Sequence, residues 1–398
     1  MHKLIITAFS LLLFLMPLNA LNPKQHYTII VSLDGFRWDY PAMYNTPNLD
    51  RMGQEGVKAV MLPSYPASTF PNHYTIATGL VPAHNGIINN SFWDVKNKCH
   101  YSMGDSATRN NPDYYLGEPI WVTAQKQGLK TANMYWVGSD IAIKGTHPTY
   151  YRMWTANPRL SFEQRIDTVL TWLQKPEEDR PRLTMLYFEE PDGSGHHNGP
   201  CSKETGVVVE YVDSLIGVLR NRIESFPFAG DINLIVTSDH GMIEISPERV
   251  VNMNQYLKPE WCEVIEGRTP TSIFSKAGYR DSIYNALKEV AHIHVWKKEE
   301  IPAELMYNDS DRIGDIVVAP EPGWQFTDIA RSTKGAHGYF PQTPEMQVIF
   351  RAIGPDFKKG YTSAGFVNVD IYPLLSYLLQ IVPEKTDGQF ERIKGILK

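Results

Sequence analysis

The chain has 398 residues, 42% hydrophobic and 21% charged, a globular composition that excludes global disorder, collagen and coiled coil. Its 38 basic and 44 acidic residues leave a net charge of -6, which gives no electrostatic reason to bind duplex nucleic acid or an anionic membrane surface. Beyond the first twenty residues no apolar run approaches the roughly 20 residues a spanning helix needs, so no stable membrane association is expected.

In chain order, Met1-His2-Lys3 precedes an apolar stretch over 4–18 and then Asn19-Ala20. This reads as an export signal (1–20) cleaved near Ala20, although Leu18 fits the small-residue rule poorly and an uncleaved anchor is the alternative. Residues 21–398 are expected to form one catalytic domain of an exported protein, periplasmic or secreted, monomeric by default. Residues 27–33 (YTIIVSL) read as a buried strand ending at Asp34-Gly35. Residues 63–74 form a Pro-punctuated loop that leads into a helix from about Asn72. Strands are expected at 130–136, 182–188 and 231–237, and helices at 161–173 and 204–223. Val208, Tyr211, Val212, Leu215, Ile216 and Leu219 mark the apolar face of the second helix. Such alternation of apolar strands and helices predicts an α/β fold, with a mostly parallel sheet covered by helices on both faces.

In sheets of that kind the chemistry lies just beyond the carboxyl ends of the strands. Asp34 follows the first strand, Asp192, His196 and His197 follow the third, and Asp239-His240 follows the fourth. A further loop carries His337. Each of these alone has an ordinary reading, a turn aspartate or a hydrogen-bonded core histidine. Together they point to metal, because carboxylates converging at one sheet edge repel each other unless cations lie between them. Mixed Asp/His sets suit zinc or a similar borderline metal. Cys99, Cys201 and Cys262 include no CxxC pair and are odd in number, so neither a thiolate site nor a disulfide scaffold is expected. Thr69 would sit near a helix N-terminus, where it either helps cap the helix or serves as a nucleophile activated by a neighbouring metal.

Several motifs occur here in the order found in the nucleotide pyrophosphatase/phosphodiesterase family of the alkaline phosphatase superfamily. They are LDGFRWDY around Asp34, PSYPASTFPNHYTIATGLVPAHNGIINNSFWD around Thr69, WVGSDI at 136–141, YFEEPDGSGHHNGP around Asp192, TSDHGM around Asp239 and GAHGY around His337. The resemblance spans about residues 26–390 and is that of a stand-alone, bacterial-type catalytic domain. It implies an alkaline-phosphatase-like fold and two zinc ions per chain. One would be held by Asp192, His196 and His337, the other by Asp34, Asp239 and His240. It further implies Thr69 as the nucleophile, itself a ligand of the second zinc, and Asn90 as donor to a phosphoryl oxygen. A nucleotide pocket would involve Phe70, Asp140, Trp154 and Tyr187. The departures are His197 after His196 and Asn89 where relatives often carry Asp. A neutral Asn90 suits a monoanionic diester better than a monoester. The expected activity is therefore hydrolysis of nucleotide phosphodiester or phosphoanhydride bonds with release of a 5′-nucleotide. The alternatives are a lysophospholipid or choline-headgroup phosphodiesterase, a phosphonate or phosphate monoester hydrolase, and a metal-bearing protein without catalysis. The preferred nucleobase is left open.

Overall fold

The computed structural model describes residues 24–326 and 333–398, so the expected export signal lies outside the described residues. The main sheet has nine strands: β1 (Tyr27–Leu33), β2 (Val57–Leu62), β3 (Thr131–Met134), β4 (Tyr150–Arg152), β5 (Leu183–Phe188), β6 (Ile232–Thr237), β7 (Val348–Ile353), β8 (Tyr361–Thr362) and β9 (Phe366–Val367). Their order across the sheet is β8-β2-β7-β6-β1-β5-β3-β4, with β9 also paired to β2. Only β7 runs antiparallel to its neighbours β2 and β6, so the mostly parallel sheet expected from the sequence is what forms. Strands β2 and β7–β9, which the sequence reading did not single out, complete one half of it.

Every residue of β1, β5 and β6 is buried, which requires a helical layer on each face. On one side α1 (Pro47–Glu55), α3 (Phe162–Leu173) and α5 (Lys203–Glu224) pack together, with the short α4 (Asp192–Asn198) against the start of α5. On the other, α2 (Thr69–Thr78) packs with Ile120–Lys126 and α6 (Ile371–Leu378). Helix α3 starts in a capping box: the Ser161 hydroxyl accepts from the Gln164 amide, and the Gln164 side chain returns to the Ser161 amide. The apolar face of α5 differs from the expected one at two positions. Tyr211 is 40% exposed, because its ring lies on Phe162 and its hydroxyl donates to Glu163 at the surface; Val208 is only half-buried. Val209 faces the core instead.

A second, antiparallel sheet of four strands orders Cys262–Gly267, Thr271–Ser275, Ile316–Pro320 and Ile293–Lys297. It has its own small core around Ile273, Ile283, Leu287, Ile316 and Val318.

The start of α1 depends on α5. Thr46 gives that helix no side-chain cap. Asp213 of α5, fully buried, accepts instead from the Leu49 amide at 2.8 Å and from the Asn48 amide at 3.2 Å and side chain at 2.8 Å. Asp213→Ala should lower stability by about 1–3 kcal/mol, the usual cost of unsatisfied buried donors. A shift of the urea denaturation midpoint at unchanged slope would read this. A variant as stable as the parent would mean that water satisfies those donors.

Candidate active site

The register of the central strands gathers the site. Leu33 lies opposite Phe188 and Ser32 opposite Thr237, so β1, β5 and β6 end at one level and Asp34, Asp192 and Asp239 follow on a common edge. The Asp192 amide donates to Asp34 O at 3.0 Å, and the Gly35 amide donates to Asp239 Oδ1 at 3.2 Å. Gly35 has φ +69°, and a Cβ there would lie 3.0 Å from Asp192 Cα. Only glycine lets these two loops approach so closely.

Three imidazoles face the carboxylates, all held in the same sense. His240 Nδ1 donates to Gly241 O at 2.8 Å, His196 Nδ1 to Gly335 O at 2.7 Å and His337 Nδ1 to Ala67 O at 3.1 Å. A carbonyl can only accept, so each Nδ1 carries the proton and each Nε2 presents a lone pair. Those lone pairs point at oxygens. His240 Nε2 lies 3.3 Å from Asp34 Oδ1 and 3.2 Å from Asp239 Oδ2. His196 and His337 Nε2 lie 3.4 and 3.7 Å from Asp192 Oδ1.

All three of those oxygens, Asp34 Oδ1, Asp192 Oδ1 and Asp239 Oδ2, are buried without a hydrogen-bond partner. Burial, then the charges of Asp239 and Asp192, push the Asp34 carboxyl well above its ordinary range. Burial also acts upward on Asp239, but the adjacent His240 and His73 carry it below the usual range. The His337 imidazole is held well below its ordinary value by burial and by His240 and His196, so it is neutral, as a ligand must be. Acceptors facing acceptors in a buried pocket is the donor set of a cation site. Asp34, Asp239 and His240 form one tight group, as expected. The second tight group is Asp192, His337 and His240. His196 reaches the same Asp192 oxygen from one side but falls outside that group, and His240 stands between the two sets, which the sequence treated as sharing no residue. His197 is exposed and belongs to neither.

Helix α2 brings in Thr69. It begins at Thr69 rather than near Asn72, because Pro71 sits in the first turn, where no amide proton is needed. The Asn72 side chain ties down the preceding loop, accepting from the Ser64 amide at 2.7 Å and donating to Pro66 O at 2.8 Å. Thr69 Oγ1 lies 3.0 Å from His240 Nε2, beside the carboxylates. Asn90 Oδ1 accepts from the Phe70 amide at 2.9 Å, which fixes the amide orientation and leaves Nδ2 as the free donor. Asn89 accepts from the Asn90 amide at 2.8 Å and donates to Pro270 O at 3.3 Å; an aspartate could not make the second bond.

Sequence reasoning missed His73, one turn after Thr69 on α2. Its Nδ1 donates to Thr69 O at 2.9 Å and lies 3.3 Å from Asp239 Oδ2, while its Nε2 accepts from Ser32 Oγ at 2.9 Å. The i,i+4 spacing within PSYPASTFPNHY was the available signal.

A cavity of about 300 Å³ opens from this edge, lined by Asp34, Thr69 and Asp192 at one end and by Phe70, Asp140 and Trp154 further along. The Asp140 carboxylate accepts from the Trp154 amide at 3.0 Å. Tyr187 reaches the same wall, 6% exposed, and its hydroxyl also donates to Asp34 Oδ2 at 2.5 Å. It therefore positions a carboxylate as well as lining the slot.

A family model described as "Type I phosphodiesterase / nucleotide pyrophosphatase" matches residues 28–340. The chain is 36% identical over 389 residues to bis(5'-adenosyl)-triphosphatase ENPP4 of Bos taurus, an alignment covering 95% of this chain and 83% of that protein. It is 36% identical over 390 residues to human ectonucleotide pyrophosphatase/phosphodiesterase family member 1, covering 93% of this chain but only 42% of the larger protein. Among solved structures, murine ectonucleotide pyrophosphatase/phosphodiesterase 5, an inactive threonine-to-alanine variant in complex with AMP, matches with a TM-score of 0.89 and 33% identity. That match covers 94% of this chain and 100% of the murine one. The central sheet and its helices are thus the alkaline-phosphatase-like fold.

Elemental analysis and calorimetry should find divalent metal at two positions coupled through His240. His240→Ala should lower occupancy of both, and His337→Ala mainly one. Tyr187→Phe, which keeps the ring and removes the donor to Asp34, should weaken metal affinity about 10–100-fold, the usual effect of losing an outer-sphere partner. Equal metal loss in the two histidine variants would mean that the sets are held independently.

Proposed function

The chain belongs to the type I phosphodiesterase/nucleotide pyrophosphatase family of hydrolases, and from that premise we propose that it is a two-zinc enzyme cleaving nucleotide phosphodiester or phosphoanhydride bonds through a covalent threonine intermediate, releasing a nucleoside 5′-monophosphate. One observation carries the reading. The Thr69 hydroxyl sits where the Asp/His cluster meets the aromatic slot, against His240 Nε2 and in the wall of the cavity that also holds Phe70 and Trp154. The murine relative solved with AMP supports it, since that inactive variant lacks a threonine.

Asp34, Asp239 and His240 would hold one zinc, and Asp192, His196 and His337 the other. When bound, the pair would supply Lewis-acid charge stabilisation and lower the pKa of the nucleophilic hydroxyl. The remaining steps belong to the protein. Trp154 and Phe70 would hold the base, at roughly 1–3 kcal/mol per stacked base. Asn90 Nδ2 would donate to a non-bridging phosphoryl oxygen that gains charge as phosphorus is attacked. Thr69 Oγ would give up its proton to solvent and form the bond to the α-phosphorus while the bond to the leaving oxygen breaks, the leaving group departing as its anion or taking a proton from solvent. A water would then cleave the Thr69–phosphorus bond, freeing the 5′-nucleotide and returning a proton to Thr69. The β-branch of Thr69 limits its rotamers, so the oxygen is held in line before substrate arrives.

Thr69→Ala should lower turnover of a p-nitrophenyl ester of a 5′-nucleotide by about a thousandfold or more, with metal content near that of the parent. Thr69→Ser should keep measurable turnover, because the reaction needs only a hydroxyl at that point. p-Nitrophenyl phosphate and p-nitrophenyl phosphorylcholine should be poor substrates beside the nucleotide ester. A Thr69→Ala enzyme with a tenth of the parent rate would replace the covalent route by direct attack of water.

A further inference from the structure

The indole of Trp154 separates two cavities. The inner one is the slot described above. The outer one is lined by Gly104, Ser106, Arg109, Trp154 and Arg159, among others, and shares only Trp154 and Arg109 with the inner one. Arg159 lines only the outer cavity, and its guanidinium carbon lies 3.9 Å from the centre of the Trp154 ring. The cation therefore covers one face of the indole from the side of the outer cavity.

Arg159 is itself held from behind. Its Nη1 lies 3.4 Å from Glu189 Oε1, and the same carboxylate is gripped by the buried Arg165, through Nη2 at 2.8 Å and through Nη1. Arg165 is anchored in turn, since Nη1 donates to Tyr187 O at 2.9 Å and the guanidinium lies over the Tyr135 ring at 4.7 Å. Tyr135 meets Trp154 edge-on at 5.6 Å and 90°. Trp154 follows the edge strand β4 within a half-exposed to exposed stretch, where a large ring would otherwise sample several rotamers. Asp140 fixes only its backbone.

We propose that Arg159 is a positioning residue for substrate. It backs Trp154 with a cation–π contact, and Glu189, held by Arg165, keeps it there. The ring thus meets the base already oriented and loses less freedom on binding. This inference rests on the nucleotide-hydrolase reading above and adds a residue that never touches substrate. Glu189 lowers its carboxyl range against burial through its bonds to Arg165, so it is an anion suited to this bridging place.

The test is a double-mutant cycle on the full, metal-loaded protein. Arg159→Met, Arg159→Lys, Trp154→Ala and the pair Arg159→Met/Trp154→Ala are compared on the p-nitrophenyl ester of 5′-AMP and on methyl p-nitrophenyl phosphate, a diester without a base. Binding of AMP is followed in parallel by calorimetry. Arg159→Met should raise KM for the AMP ester and Kd for AMP about two- to fivefold, the size of one half-exposed cation–π contact, with kcat within twofold and the baseless diester unaffected. Arg159→Lys should fall between the two, and Arg159→Met should add nothing once Trp154 is Ala. Equal loss on both substrates, a loss confined to kcat, or an undiminished effect in the Trp154→Ala background would overturn the proposal. A parent enzyme that neither binds AMP nor cleaves its ester would instead overturn the nucleotide reading, and this proposal with it. A parent that does both while Arg159→Met matches it would overturn this proposal alone.

Discussion

The structure depends on an arrangement of like partners. Three carboxylate oxygens and three imidazole lone pairs converge on one buried sheet edge, with no proton among them to share. Left to itself, such a cluster would protonate or splay apart, as the upward push on Asp34 shows. The surrounding bonds nonetheless hold its geometry. Each Nδ1 is fixed to a main-chain carbonyl, so no imidazole can turn its N–H inward. The Asp192 amide is tied to Asp34 O and the Gly35 amide to the Asp239 carboxylate, so the three loops that carry the carboxylates cannot separate. The protein holds the repulsion in place, and the two groups of candidate ligands are arranged so that a bound cation would relieve it.

That constraint explains why the site is assembled from strands of a parallel sheet. Three strands with continuous burial cannot slip in register without exposing apolar residues, so the residue after each is held to the precision of the core. Helix α2 is joined to the same frame by His73, which bonds the carbonyl of Thr69, approaches Asp239 and rests on Ser32 of β1. The hydroxyl proposed as nucleophile and one of the carboxylates thus share a support. A shift of one carries the other with it.

The parts of this arrangement that were legible in the sequence are those encoded locally. The runs YTIIVSL and INLIVT end in Asp34 and in Ser238-Asp239, and a buried strand followed by an acid is visible without any structure. The parts that were not legible are set by contacts between distant segments. Strand β7 pairs antiparallel into the parallel sheet, a choice made by its neighbours β2 and β6 rather than by its own residues. Tyr211 has the right spacing for the face of α5, yet its hydroxyl finds Glu163 on a different helix and carries the ring outward. Helix α2 starts earlier than its sequence suggests, because proline reads as a breaker, whereas in the first turn it costs no hydrogen bond. The closeness of His240 to both groups of candidate ligands could not be read at all, since spacing in a sequence separates residues into sets while packing sets them side by side.

Tyr187 shows how the two ends of the cavity are coupled. It lies in β5, directly opposite Ser32 of β1, so its backbone is fixed by the core. Its hydroxyl holds Asp34, its ring meets His73 edge-on at 4.8 Å and approaches Trp154 at 5.9 Å, and its carbonyl receives Arg165. One side chain therefore touches the Asp/His cluster, the support of the proposed nucleophile and the aromatic wall of the slot. Two separate platforms, one for charge and one for a base, would each need their own anchoring and could drift relative to one another. The in-line attack proposed for Thr69 would tolerate little such drift. Hanging both from the same tyrosine makes the distance between the reacting centre and the slot a property of the sheet.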